Sequence, residues 1–282
     1  MNKALLLGNE AIARGAWEAG VRVVSSYPGT PSTEITEAIS HYPEIYSEWA
    51  VNEKVSLEVA AGASAAGARA MSCMKHVGLN VAADPLFTLS YTGVSGGLVV
   101  VVADDPGMNS SQNEQDSRWY ARAALLPMLE PADSEECRAF VKEAFELSER
   151  FDAPFLVRTT TAIAHARSMV SLEPRAEIPL PPYKKDVAKN VMMPAMARGR
   201  HLVVEARSRA LADWADETPL NRVEMRSEKI GVVCSGVVYQ YVREALPEAS
   251  VLKLGVVNPL PKKLIEDFAA KVEKLYVIES LE

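Results

Sequence analysis

Cysteine is scarce in this 282-residue sequence: Cys73, Cys137 and Cys234 are far apart and odd in number. They make no disulfide framework. Without a CxxC pair they seed no zinc or iron–sulfur site, so buried thiols in a reducing compartment are expected. Positive charge is short as well: 30 Lys and Arg face 37 Asp and Glu, a net −7. That excludes a general nucleic-acid binder, which needs a basic face, but leaves room for an anionic cofactor held by backbone N–H groups at helix N-termini. No apolar run reaches the roughly 20 residues of a membrane span, and the apolar run within Met1–Glu10 is too short for a signal peptide. A soluble, cytoplasmic protein without a membrane partner is expected. Absent too are a Walker loop, a GxGxxG fingerprint (Gly93, Gly96 and Gly97 are wrongly spaced), HExxH and GxSxG. The four histidines are scattered and read as surface or core residues, with His76 the strongest candidate for a further role.

What is present is an ordinary globular composition, 48% hydrophobic and 24% charged, and length for about two domains. Strands and helices alternate. Lys3–Leu7 reads as a first strand, Asn9–Ala19 as an amphipathic helix with Asn9 at its N-cap, and Val21–Ser25 as a strand; Ser32 or Thr33 caps a helix to about Ser40. Tyr46–Trp49 reads as a short extended segment; further strands are expected at Ala70–Lys75, Leu98–Ala103 and Phe155–Arg158, and helices over Glu53–Ala70 and Ser134–Phe151. The alternation predicts an α/β fold, a parallel sheet covered on both faces, with ligands at the carboxyl ends of strands. Tyr27–Ser32 and Asp104–Arg118 both fall there. A proline-punctuated connector begins near Ser171. A second unit follows: strand Ile230–Ser235, helix Val237–Leu246, strand Val251–Leu254, helix Pro261–Val272 and strand Leu275–Glu279. The expected division is 1–170, 171–228 and 229–282. Because the sequence stops directly after a strand of buried type, the last unit is expected to belong to a longer polypeptide.

Three segments carry chemistry. In Ser26–Thr33 two prolines and a glycine fix a turn after a strand and hold the Thr30 hydroxyl at a helix entrance, where backbone donors suit a carboxylate or phosphate; a plain helix-entry turn is the competing reading. Glu53 opens a helix of unusually small residues, Ala60 to Ala68. An acid there usually complements the helix dipole. A flat helix, however, lets a backbone, cofactor or subunit come close, and an acid pressed into such a contact loses water and gains the raised pKa of a proton shuttle. Gly107–Arg118, rich in Asn, Gln and Ser, offers hydrogen bonds and one guanidinium for a substrate carboxylate, or is a solvated loop.

Tyr27-Pro28-Gly29-Thr30-Pro31-Ser32, Glu53 followed nine residues later by Gly62, Lys75-His76-Val77-Gly78-Leu79-Asn80, Ser110–Asp116, and the C-terminal Gly236, Pro259-Leu260-Pro261 and Glu279 occur in this order. Together they resemble the alpha subunits of indolepyruvate:ferredoxin oxidoreductases, a branch of the thiamine-diphosphate-dependent 2-oxoacid:ferredoxin oxidoreductases. The resemblance implies a pyrimidine-type thiamine-diphosphate-binding parallel-sheet domain followed by a transketolase-C-like α/β domain. It implies oxidative decarboxylation of aryl pyruvates such as indolepyruvate to aryl-acyl-CoA with coenzyme A, and reduction of ferredoxin. Glu53 would share a proton with the cofactor's aminopyrimidine ring and so promote deprotonation of the thiazolium carbon. Tyr27, Pro28, Gly62 and Asn80 would line the cofactor; Thr30 would meet the substrate's oxo or carboxylate group, and Arg118, or Arg122 close by, its carboxylate.

The family's Gly-Asp-Gly…Asn magnesium motif and its ferredoxin-like cysteine clusters do not occur here. Ligands for magnesium and for 4Fe-4S clusters are therefore expected outside this chain, on further polypeptide or on a beta (gamma-type) subunit of an oligomer. The small-residue helix is expected at an interface or in the core. Two alternatives stand: a non-oxidative thiamine-dependent decarboxylase subunit, and a non-catalytic α/β scaffold, which would not need an acid at Glu53.

Overall fold

The computed structural model describes residues 2–281. The chain runs β1 (Lys3–Leu7), α1 (Gly8–Glu18), β2 (Val23–Ser26), α2 (Thr33–Ile39), β3 (Tyr46–Trp49), α3 (Glu53–Ala65), β4 (Ala70–Lys75), α4 (His76–Val81), α5 (Ala83–Thr92), β5 (Leu98–Asp104), α6 (Arg118–Ala124), β6 (Met128–Leu129), α7 (Ser134–Phe151), β7 (Phe155–Thr160), α8 (Thr161–His165) and β8 (Arg167–Ser171). Then come α9 (Val187–Asn190), α10 (Pro194–Glu217), β9 (Arg222–Glu224), β10 (Ile230–Ser235), α11 (Val238–Ala245), β11 (Ser250–Leu254), β12 (Val256–Asn258), α12 (Lys262–Ala269) and β13 (Lys274–Ile278).

Seven strands form the main sheet in the order β12-β6-β7-β5-β4-β2-β3, parallel except for β12. The valine-rich β5 shows why both faces are covered, since alternate side chains of a strand point to opposite faces. Val99 and Val101 join one core with Ile12, Ile35, Phe145 and Phe155. Leu98, Val100 and Val102 join the other with Leu57, Leu86 and Phe268. β2 pairs with β3 on one side and β4 on the other, so sheet growth reverses there. In such sheets ligands bind in the crevice outside the carboxyl ends of the strands at the reversal.

Several local expectations shift. β1 stays out of the main sheet and, among the described residues, pairs antiparallel with β8 alone. α1 begins at Gly8, so Asn9 is not its cap; Asn9 is fully buried and its Nδ2 donates to the Pro31 carbonyl at 2.8 Å. Residues 76–92 fold into α4 and α5, which the sequence pattern does not announce.

The C-terminal unit is a four-stranded sheet, β13-β10-β11-β9, with β9 antiparallel to β11. Both β9 and the 24-residue α10 lie in the stretch expected as a connector. β12 leaves its own unit and pairs with β6, Val256 opposite Leu129. β13, expected to be buried, is an edge strand with Leu275, Tyr276 and Val277 exposed, because only β10 borders it among the described residues. Arg158 closes the seam between the two sheets. It is buried, its Nε lies 2.7 Å from Asp104, and it pairs with Glu130, which accepts from Ser235 Oγ at 2.9 Å. Among the described residues no helix is long and apolar enough to cross a membrane.

Candidate active site

The crevice between β2 and β4 gathers four of the segments. The turn after β2 is held from within: Ser32 N–H and Oγ both donate to the Gly29 carbonyl at 2.8 Å, and Gly29 N–H donates to Thr33 Oγ1 at 2.9 Å. Tyr27, Pro28 and Thr30 are left exposed, and the Thr30 hydroxyl has no hydrogen-bond partner among the described residues. Gly29 lies against the end of β4, where a Cβ would sit 3.2 Å from that of Lys75.

Glu53 begins α3 because Asn52 ends the preceding extended stretch and caps the helix, its Oδ1 accepting from Val55 N–H at 2.9 Å. The Glu53 carboxylate is half-buried and makes no hydrogen bond or ion pair among the described residues. It leans on α4 at Gly78, where a Cβ would fall 2.5 Å from Glu53 Oε1 and 2.6 Å from its Cγ. An acid left without protein partners, on a glycine that makes room for it, fits a role toward an external nitrogen.

The loop from Asp105 to Ser117 is strapped over the start of α4. Lys75 Nζ donates to the Ser110 carbonyl at 2.7 Å, and His76, almost wholly buried, puts Nε2 3.1 Å from the Asn113 carbonyl. Asn80 and Gln115 exchange amide hydrogen bonds of 2.8 and 3.0 Å. Asp105 anchors the near end by accepting from Ser111 Oγ, Ser110 N–H, Thr161 Oγ1 and Asn109 Nδ2 at 2.6–3.1 Å. Burial would raise its pKa, but these donors outweigh it and hold the carboxyl well below the usual range. Asp104 anchors the far end through Ser117.

Not every expected residue converges. Asn80 spends its amide on Gln115 and so holds the loop. Gly62 lies about two and a half turns and roughly 13 Å along α3 from Glu53, on the opposite side of the helix. It is exposed, and nothing lies within 4 Å of where its Cβ would be. The small-residue helix is thus divided: Ser56, Leu57, Ala60 and Ser64 are buried, while Gly62, Ala65 and Ala66 form an open face. Arg118, expected at the substrate carboxylate, is held by contacts within its own loop and with the C-terminal unit. Its guanidinium is 2.7 Å from Asp116 and 3.1 Å from Glu279, and donates to the Leu281 carbonyl at 3.2 Å. It lines a separate cleft of about 580 Å³ with Arg122, Ser235 and Lys262, where Arg122 sits over the Trp119 ring. Within the Lys75–Asn80 motif, sequence reasoning singled out neither Lys75 nor Gly78; Gly78 lies under Glu53, and Lys75 ends a strand whose six residues are all buried.

No group of three or more His, Cys, Asp or Glu among the described residues could hold a metal ion. Burial pushes the Cys73 and Cys234 thiols up to about 12, leaving neither as a nucleophile near neutral pH. The unpartnered Glu53 carboxylate suits a ring nitrogen such as the pyrimidine of thiamine diphosphate carries, and no metal cluster for a diphosphate is present among the described residues.

A family model described as "Pyruvate flavodoxin/ferredoxin oxidoreductase, thiamine diP-bdg" matches residues 14–226. The chain belongs to this family. Among its curated relatives is the indolepyruvate oxidoreductase subunit IorA of Methanothermobacter thermautotrophicus, 47% identical over all of this chain and 47% of the relative. The IorA of Archaeoglobus fulgidus is 43% identical over 99% of this chain and 47% of its own length. The chain spans about half the length of these relatives. A solved 2-oxoglutarate:ferredoxin oxidoreductase from Magnetococcus marinus, with 2-oxoglutarate, coenzyme A and succinyl-CoA bound, superposes with TM-score 0.81 at 18% identity, covering 98% of this chain and 57% of that one. A split-gene transketolase, an inactive beta4 tetramer, gives 0.63 at 16% identity over 98% of this chain and 80% of its own. Both share the fold.

Proposed function

We propose that this chain forms the pyrimidine-holding half of an enzyme that oxidatively decarboxylates aryl pyruvates, indolepyruvate among them, with coenzyme A as acyl acceptor and ferredoxin as electron acceptor. The observation that carries the reading is the unpartnered Glu53 carboxylate seated on Gly78 beside the β2–β4 crevice. The names of the IorA relatives support the substrate class. Thiamine diphosphate, when bound, supplies the carbanion-stabilising chemistry that decarboxylation of a 2-oxo acid needs. Glu53 would meet a ring nitrogen of that cofactor and could hold or release a proton there. Tyr27 and Pro28 wall the crevice, and the Thr30 hydroxyl donates to the substrate's oxo group. Asn80 fixes the loop that closes the crevice, and Gly62 offers its open helix face to a neighbouring domain or subunit.

Magnesium and 4Fe-4S ligands come from outside this chain, on further polypeptide or a gamma-type subunit, in a cytoplasmic oligomer. We take the chain to divide at 1–170, 171–228 and 229–282, with β9 and β12 pairing across those bounds. The test is the complete enzyme with its partner subunit: indolepyruvate-dependent reduction of ferredoxin that requires coenzyme A is expected. Release of an aldehyde with no electron transfer would replace this reading with the non-oxidative one.

A further inference from the structure

Six lysines and arginines are buried among the described residues: Arg69, Lys75, Arg138, Arg158, Arg207 and Lys253. A buried cation needs acceptors, and preferably an anion. Arg69 has Glu146 and Glu149, Arg138 has Glu18 and Glu135, Arg158 has Asp104 and Glu130, and Lys253 has Glu136. Arg207 has no acid; its Nη1 and Nη2 donate to the Asp152 carbonyl and both oxygens of Ser90, three neutral acceptors, while its Nε has no partner. Lys75 stands apart. It is 8% exposed, has no ion pair, and gives one of its three N–H donors to a single neutral acceptor, the Ser110 carbonyl. Asp105, on the other side of Ser110, is saturated by four donors.

This cation ends β4 at the sheet reversal, against Gly29 of the turn that carries the free Thr30 hydroxyl. We infer that Lys75 is the group that binds the carboxylate of the 2-oxo acid, with Thr30 beside it for the oxo oxygen. The assignment rests on the reading above, and it replaces Arg118, whose guanidinium Asp116 and Glu279 already hold. Lys75 binds the carboxylate that decarboxylation removes. It stabilises the ground state at least as well as the transition state, so its loss raises KM without lowering kcat.

The experiment uses the complete enzyme as wild type, Lys75→Met and Lys75→Arg, with Asn80→Ala as a control that loosens the same loop. KM and kcat for indolepyruvate are measured. So are inhibition constants for indole-3-acetate and its neutral counterpart indole-3-acetamide. Lys75→Met is expected to raise KM and weaken the acetate roughly ten- to hundredfold, the effect of losing a charged hydrogen bond, while the acetamide stays within about twofold. Lys75→Arg keeps the charge and recovers part of the acetate affinity, and serves by itself if Lys75→Met does not fold. Asn80→Ala weakens both probes alike. If Lys75→Met also weakens both alike, or changes neither, Lys75 only fastens the Ser110 loop and the assignment is overturned while the functional reading stands. A wild-type enzyme that turns over no 2-oxo acid overturns both.

Discussion

A methyl group at Gly78 tests the seat of Glu53 directly. Gly78 is helical with no positive φ, so alanine is allowed by the backbone. The three atoms nearest an added Cβ all belong to Glu53: Oε1 at 2.5 Å, Cγ at 2.6 Å and Cδ at 2.8 Å. Carbon contacts settle at about 3.5–4.0 Å, so the carboxylate must retreat by about 1 Å. A displacement of that size at a reacting group costs roughly 10²-fold in rate. Folding responds differently. Replacing glycine by alanine in a helix gains about 0.8–1.0 kcal/mol, and pushing Glu53 off its rotamer costs about 0.5–1.5 kcal/mol. The two nearly cancel, and Tm is expected to stay within about 3 °C of wild type. Gly78→Ala is therefore expected to fold normally and turn over indolepyruvate about a hundredfold more slowly. The assays are a thermal melt, steady-state kinetics of the complete enzyme, and exchange of the thiazolium proton of bound cofactor with deuterated solvent. Wild-type exchange and turnover in Gly78→Ala would refute the reasoning, since a helix-dipole carboxylate tolerates the shift.

Glu53→Gln keeps an acceptor but cannot pass a proton; thiazolium exchange should fall about 10²–10⁴-fold, with cofactor affinity only modestly reduced, and an unchanged exchange rate removes Glu53 from the chemistry. Arg158→Leu leaves Asp104 and Glu130 buried and unpaired, and should cost about 3–5 kcal/mol in urea unfolding; a loss below about 1 kcal/mol would show that the seam does not depend on this pair. Hydrogen bonds hold Asp105 below the ordinary carboxylate pKa of about 3.9. Its contribution is complete above that value and is lost as pH falls toward the folded pKa. Asp105→Asn should be less stable than wild type near neutral pH, with the gap narrowing below about pH 4; a gap independent of pH contradicts the assignment.

How much of the fold can be read from the sequence depends on how local its causes are. The bounds of α7 and β10 coincide with the expected ones. α7 carries its own start signal, Asp133 accepting from Glu136 N–H at 2.8 Å, and β10 is a short apolar run between polar turns. The valines of β5 identify a buried strand for the same reason. β12 has no such signal. It is three residues long, and its partner β6 lies more than a hundred positions away. β1 has the pattern of a sheet strand, and only tertiary placement sends it to β8. In the site, Glu53 is legible as an acid just inside a helix capped by asparagine. Its seat is not, because Gly78 meets it only after β4 and α4 have packed against α3. Lys75 reads as the polar end of a strand until the acid partners of the other buried cations are compared.

Arg118 shows how neighbours can occupy a residue whose chemistry suits a substrate group. A guanidinium at the end of an Asn- and Ser-rich loop suits a carboxylate, and it does bind two, Asp116 and Glu279. The second belongs to the C-terminal unit. The same loop end is fixed by Ser117 on Asp104, and Asp104 pairs with Arg158, Arg158 with Glu130, and Glu130 with Ser235. At Gly236, with φ +53°, a Cβ would fall 2.4 Å from Glu130 Oε1, so the chain can pass this acid only as glycine. The loop over Lys75 and His76 is thus held at one end by Asp105 and at the other by contacts that run into the second sheet. The C-terminal unit, which lends no side chain to the crevice contacts described, helps to set the loop's position, and under the proposed function the loop needs that support to hold its groups within a fraction of an ångström.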